Sequence, residues 1–128
     1  MIERRLTVRS RLHSFRCALQ GVWTMLRSQH NAWLHGLATV VVLGIGACLG
    51  LTKGEWCWIV LAVMAVWTAE ALNTAFEFLA DVASPEFHPL VAKAKDVAAG
   101  AVLISAVGAA TIGVVVMGPH ILEVVQRF

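Results

Sequence analysis

The sequence predicts an all-α membrane protein with three transmembrane helices and an N-terminal amphipathic surface helix. The 128 residues are 59% hydrophobic and only 14% charged, whereas a soluble domain is about 25% charged, and the mean hydropathy is +0.75. Three apolar stretches, at residues 32–51, 56–79 and 97–117, can each cross a bilayer core of about 30 Å, which takes about 20 helical residues. We therefore interpret residues 1–128 as one small integral membrane domain.

An amphipathic segment at about residues 10–28 precedes the first span. Its apolar residues Phe15, Leu19, Val22 and Leu26 recur every three or four positions, as one face of a helix requires, and arginines occupy the other faces. This pattern favours a helix that lies in the cytoplasmic interface of the membrane. An ordinary amphipathic helix packed on its own protein is the alternative, and the two are compatible.

Basic residues set the expected orientation in the membrane. Six arginines precede the first span, the link between the second and third spans holds Lys93 and Lys95, and the other link holds only Lys53. By the positive-inside rule, the N-terminus and the second link face the cytoplasm, which leaves the C-terminus outside. A net charge of +2 that is concentrated in these arginines suits anionic lipid headgroups and not nucleic acid.

The second span runs directly into a polar stripe, EALNTAFEFLAD. At about 100° per residue, a helix places Glu70, Asn73, Glu77 and Asp81 within a sector of about 80°. Ionisable groups in a bilayer each cost about 3 kcal/mol or more, so this stripe must face partners, water or a cation. If Trp56 lies at the outer interface, successive carboxylates of the stripe lie progressively closer to the cytoplasmic edge of the membrane, where a water-soluble reactant and a lipid headgroup can meet. We interpret the stripe as the functional site.

The link before the third span carries a second polar cluster. Lys95 and Asp96 lie in the entry turns of the helix that follows Pro85 and Pro89. Helix capping alone would account for Asp96 and snorkelling for Lys95, but their place on the same membrane face as the stripe favours a functional role. Three helices have little interior for so many carboxylates, and small residues line the third span, so we expect a homo-oligomer with sites shared between subunits.

Two motifs carry a family resemblance: EALNTAFEFLAD in the second span and, after a short loop, EFHPLVAKAKDVAAGAVLIS. Together with SFRCALQG before the first span, they resemble the bacterial diacylglycerol kinase and undecaprenol kinase family, and the similarity covers nearly the whole chain from about Arg11. The resemblance implies a homotrimer of the bacterial inner membrane. It also implies transfer of the γ-phosphoryl group of MgATP to the hydroxyl group of a lipid alcohol, diacylglycerol or undecaprenol.

The resemblance further implies roles for both polar clusters. Glu70 matches the catalytic base, and Glu77 matches a magnesium ligand. The positions that contact nucleotide or phosphate, or shape their pocket, match Asn73, Asp81, Lys95 and Asp96. The expected cofactor is Mg²⁺, with ATP as co-substrate, because phosphoryl transfer needs cations on the phosphates and a carboxylate that accepts the hydroxyl proton. The sequence contains no Walker P-loop, so the nucleotide is implied by the resemblance alone.

One residue departs from the family pattern. Gln29 stands where the family normally has a glutamate that helps Glu77 hold magnesium, and an amide oxygen can ligate Mg²⁺ but brings no charge. Asn31 and His35 match one branch of the family, whereas Trp33 stands where arginine is common. Three hypotheses remain open: an active lipid kinase with weakened metal affinity; a member with altered chemistry, such as a lipid phosphatase, or with an inactive structural or binding role; and an unrelated ion channel or transporter.

Overall fold

The computed structural model describes residues 8–127, apart from the side chain of residue 30, and this part of the chain contains α-helices and no strand. The helices are α1 (Val8–Ser28), α2 (His30–Leu49), α3 (Lys53–Ala83) and α4 (Pro89–Val125). Three of them, α2, α3 and α4, are long and apolar enough to cross a membrane. The predicted all-α fold with three membrane-spanning helices is therefore confirmed. Arg4 and Arg5, which contribute to the predicted orientation, lie outside the described residues.

Helices α3 and α4 extend beyond their apolar stretches, whereas α2 ends at Leu49, two residues before the end of its stretch, and local capping accounts for several of these ends. Thr52 and Glu55 form a reciprocal capping box, with the Thr52 N–H donating to Glu55 Oε2 at 2.8 Å, so α3 includes most of the expected first link. Gly50 adopts a left-handed conformation, with a φ of 69°, and ends α2. Pro89 lies in the first turn of α4, behind the His88 cap. Which part of each helix lies within the bilayer stays a prediction.

The antiparallel pair of α3 and α4 is the most extensive helix contact, and α2 packs more lightly beside it. Leu51, Ile59 and Met117 form an apolar cluster at the end of the bundle far from the polar stripe. Gly46 of α2 lies against this cluster, where a Cβ atom would stand 3.1 Å from both the Leu51 side chain and the Trp56 ring. A larger residue at position 46 would therefore need the Leu51 and Trp56 side chains to shift by a few tenths of an ångström.

Two polar contacts join the helices. One lies between the apolar cluster and the polar stripe, and the other lies at the end of the bundle far from the stripe. Trp67 Nε1 on α3 donates a hydrogen bond to Thr39 Oγ1 on α2 at 3.1 Å. His120 Nε2 on α4 lies 2.8 Å from Glu55 Oε1 in the first turn of α3. These two contacts tie α2 to α3 and α4 to α3 at fixed points along their lengths.

Apolar side chains cover much of the surface. Ile104 and Val114 on α4 are 75% and 73% exposed, as expected for faces that contact lipid rather than water. Helix α1 buries Met25, whereas Phe15 and Leu19 are exposed. Because α1 is not among the candidate spans of the described chain, its position on the membrane surface stays a prediction.

Candidate active site

Glu70 is completely buried at the first position of the polar stripe of α3, with a relative exposure of 0%. Neither of its carboxylate oxygens has a hydrogen-bond partner within the described residues. The nearest basic group is His35 of α2, whose Nε2 lies 4.0 Å from Glu70 Oε2. Burial of an ionised carboxylate without a partner is strongly unfavourable, and an unpartnered buried polar group in a native protein is explained by stored strain, a catalytic role, or a bound water or ion.

Glu77 lies two helical turns further along the stripe and, unlike Glu70, has both carboxylate oxygens engaged. Asn73 Nδ2 donates to Glu77 Oε1 at 3.2 Å, and Gln29 Nε2 donates to Glu77 Oε2. The amide oxygen of Asn73 is buried and has no partner among the described residues. This group of side chains therefore presents one carboxylate and two carboxamides, with a spare oxygen on Asn73.

The local fold explains how Gln29 reaches α3. It is the one residue between the last residue of α1 and the first residue of α2, with φ of −105° and ψ of 119°, and it caps α2 without a side-chain hydrogen bond to that helix. Its side chain is therefore free to extend to Glu77. A half-turn of the terminal amide would present its oxygen instead of its nitrogen, which is the orientation that a cation would select.

Asp81 and Lys95 form an ion pair at the end of the α3–α4 hairpin, with Lys95 Nζ 2.5 Å from Asp81 Oδ1. Both side chains are partly exposed, at 38% for Lys95 and 65% for Asp81, so the pair is worth about 1 kcal/mol or less. Asp81 lies one turn, about 6 Å along the axis, from Glu77. The ammonium group can therefore leave Asp81 for a phosphate near Glu77 at little cost.

The structure thus brings together some of the predicted site residues and not others. Gln29, Glu77 and Asn73 are in direct contact, and Glu70 lies on the same face of α3. Asp81 and Lys95 contact each other. Asp96 is exposed, points about 100° away from Lys95 around α4, and makes no hydrogen bond or ion pair in the part of the chain that is described.

His35 is the residue near Glu70 to which the sequence argument gave no role. Its side chain is 16% exposed, against 1% for that of Glu70. Thr39 Oγ1 donates to the His35 carbonyl oxygen at 2.7 Å and accepts the hydrogen bond from Trp67, so α3 fixes the turn of α2 that carries His35. His35 could have been identified from the sequence by the criterion that identified Glu70, which is the presence of an ionisable residue within an apolar span.

An apolar groove of about 430 Å³ opens beside His35, between α2, α3 and α4. It runs from His35 and Thr39 to Met117 and Ile121, and its walls are almost wholly alanine, valine and isoleucine side chains. A second groove, of about 650 Å³, lies between α3 and α4 and is bordered by Asn73. Both grooves can accept hydrocarbon chains close to the polar stripe.

The described side chains hold no group of three or more histidine, cysteine or acidic residues that could bind a metal ion by themselves. A metal site at Glu77 would therefore use one carboxylate, amide oxygens, and ligands from a bound substrate or water. Mg²⁺ is commonly held in this way, by one or two carboxylates together with substrate phosphates. The unpartnered oxygen of Asn73 fits this ligand set.

Comparison with known proteins matches residues 16–117 to the family model described as prokaryotic diacylglycerol kinase. An undecaprenol kinase of Bacillus subtilis is 37% identical over 108 residues, which cover 84% of this chain and 88% of that protein. A diacylglycerol kinase of Synechocystis is 34% identical over 113 residues, which cover 88% of this chain and 65% of that longer protein. The matched region includes all of the polar stripe, the α3–α4 hairpin and Gln29.

Proposed function

The chain belongs to the prokaryotic diacylglycerol kinase family of membrane lipid kinases, and we propose that it transfers the γ-phosphoryl group of MgATP to the hydroxyl group of a membrane lipid alcohol. One observation carries the proposal: Glu70 is fully buried and has no hydrogen-bond partner among the described residues, and it lies 4.0 Å from His35, which lines an apolar groove that could hold the lipid chain. The carboxamide and carboxylate group at Glu77 supplies the polar side of the same site.

Glu70 acts as the general base in this proposal. The lipid oxygen forms a bond to the γ-phosphorus as the bond from that phosphorus to the bridging oxygen of ADP breaks. The hydroxyl proton moves to a carboxylate oxygen of Glu70, and ADP leaves. Because no protein donor occupies either Glu70 oxygen in the described chain, both are available to accept the incoming hydroxyl.

Gln29, Asn73 and Glu77 would hold Mg²⁺ through oxygen atoms. When bound there, Mg²⁺ would neutralise charge on the phosphates during transfer. Gln29 and Asn73 each contact Glu77 already, so their own contribution is to fix the Glu77 carboxylate in place. Gln29 adds no negative charge, and the affinity for the metal should be lower than with a second carboxylate at that position.

Lys95 would bind a phosphate group of the nucleotide, and Asp81 holds its ammonium group near the site until the nucleotide arrives. Asp96 would complete the nucleotide pocket, which fits best with a homotrimer in which the site is shared between subunits. We place the site at the cytoplasmic face of the inner membrane, with the N-terminus in the cytoplasm and α1 on the membrane surface.

The lipid acceptor is an alcohol of the diacylglycerol or undecaprenol class, the substrates named for the two relatives.

The test is phosphorylation of purified lipids by the protein in detergent or bicelles with ATP labelled at the γ position. We expect labelled lipid from diacylglycerol, undecaprenol or both. Glu70→Gln should lower turnover by about 10²-fold or more, because general bases contribute about 10² to 10⁴. Glu86→Gln is the matched control, since Glu86 is exposed in the α3–α4 loop, and it should retain wild-type turnover.

Other outcomes would favour the alternative functions. Release of phosphate from a phosphorylated lipid in the absence of ATP would support a lipid phosphatase. Ion flux through liposomes without phosphoryl transfer would support a transporter. Retained turnover in the Glu70→Gln protein would remove Glu70 from the reaction.

A further inference from the structure

The buried position of Glu70 creates a problem for repeated turnover. Each transfer leaves the hydroxyl proton on Glu70, and the next transfer needs the carboxylate again. The side chain has 1% exposure, so the proton has no direct path to bulk water in the structure. A basic group that lies next to Glu70 and is itself closer to the surface would provide such a path.

The groups around Glu70 differ in their ability to do this. The carboxylate of Glu77 accepts hydrogen bonds from two amides, and Thr74 Oγ1 donates to the backbone carbonyl of Glu70 rather than to its carboxylate. The imidazole of His35 is the basic group at ion-pair distance from the carboxylate, with Nε2 4.0 Å from Oε2. A hydrogen bond is about 1 Å shorter, a gap that a small rotation of either side chain closes.

A relay must contact both the Glu70 carboxylate and the surface of the protein, and His35 also has this second property. Its side chain is 16% exposed, and it lies in the second turn of α2, near the end of that helix that is expected to face the cytoplasm. Imidazole can take a proton at one ring nitrogen and release one from the other near neutral pH, whereas an amide or a hydroxyl cannot hold the added charge. The Trp67–Thr39–His35 series of hydrogen bonds keeps this turn of α2 facing α3.

We propose that His35 is the proton relay of this site, which takes from Glu70 the proton released by the lipid hydroxyl and passes it to solvent. This inference rests on the proposed function. In the transfer step the O–H bond of the lipid breaks and an O–H bond forms on Glu70. In the relay step that bond breaks, an N–H bond forms at His35 Nε2, and the imidazolium then loses a proton to water or buffer. No electrons are exchanged, and Glu70 returns to its ionised form.

The relay predicts a separation between the first turnover and later ones. In rapid-quench measurements with ATP in excess, His35→Asn should form the first phosphorylated lipid per site within about twofold of the wild-type rate, and the following turnovers should slow by about tenfold or more. His35→Ala should behave in the same way and should recover steady-state turnover as imidazole is added to the buffer, because free imidazole can replace the missing base. His13→Ala is the matched control, since His13 is exposed on α1, and should show neither effect.

The outcomes separate the relay from a structural role and from failure of the proposed function. Steady-state turnover of His35→Asn at the wild-type rate would overturn the relay. An equal loss in the first and later turnovers that imidazole does not reverse would assign His35 to packing or to positioning of Glu70, and would also overturn it. Absence of any lipid phosphorylation by the wild-type protein would overturn the proposed function, and the relay with it.

Discussion

Gln29→Glu should strengthen metal binding at the proposed magnesium site. The wild-type amide donates to Glu77, so the substitution replaces a neutral donor by a second carboxylate in contact with the first. Two such charges about 4 Å apart repel by about 1 kcal/mol in water and by about 4 kcal/mol at an effective dielectric constant of about 20. Both side chains are partly buried, so the repulsion should lie between these limits. A divalent cation removes it.

The same energies set the expected size of the effect. Relief of about 1 to 4 kcal/mol corresponds to roughly a fivefold to several-hundredfold gain in metal affinity, and we expect the Mg²⁺ concentration for half-maximal lipid phosphorylation to fall by about tenfold or more. Gln20→Glu makes the same charge change at an exposed position of α1 and should leave that concentration unchanged.

A second measurement is independent of turnover. Without Mg²⁺, the thermal unfolding temperature of the Gln29→Glu protein in detergent should be lower than that of the wild type, because the two carboxylates repel. Added Mg²⁺ should raise it by more than it raises the wild-type value. An unchanged or higher metal requirement, together with an unchanged response of the unfolding temperature to Mg²⁺, would show that Gln29 is not a degraded ligand position.

Two further predictions concern topology and the nucleotide. In a background without the native cysteines, Ser84→Cys should react with a membrane-impermeant thiol reagent only from the cytoplasmic side and Arg127→Cys only from the other side; reaction of both from one side would contradict the three-span topology. Lys95→Met should raise the KM for ATP by about tenfold, with little change in the KM for lipid, as expected for loss of one charge-assisted hydrogen bond of about 1.5 kcal/mol. Asp81→Asn should change the KM for ATP less. A change in the KM for lipid alone in the Lys95→Met protein would argue against a phosphate contact.

The amino-acid composition, the lengths of the apolar stretches and the helical spacing of the polar residues were enough to predict the fold class and the position of the polar stripe. The stripe depends only on helical geometry, so the common face of Glu70, Asn73 and Glu77 follows from their spacing. The helix ends were harder to place. Residues such as Thr52 and Pro89 lengthen α3 and α4 beyond their apolar stretches, and hydropathy alone does not detect such capping.

Contacts between distant parts of the chain could not be read from the sequence pattern. The Gln29–Glu77 contact depends on how α1 turns into α2, and the Trp67–Thr39 contact depends on the rotation of α2 about its own axis. Neither is set by a local period. The expected site combined both polar clusters, and within one chain the Lys95–Asp81 ion pair is the contact that joins them. Asp96 points away from Lys95 around α4, and its part in a site shared with a neighbouring subunit is a proposal.

The single residue between α1 and α2 has a mechanical consequence. Since Gln29 is both the only non-helical position between two rigid helices and a hydrogen-bond partner of Glu77, a change in the tilt of α1 must rotate the backbone at this position. The side chain would then swing relative to α3. If α1 lies on the membrane surface as predicted, lipid packing or headgroup charge that tilts it would in this way alter the geometry around Glu77.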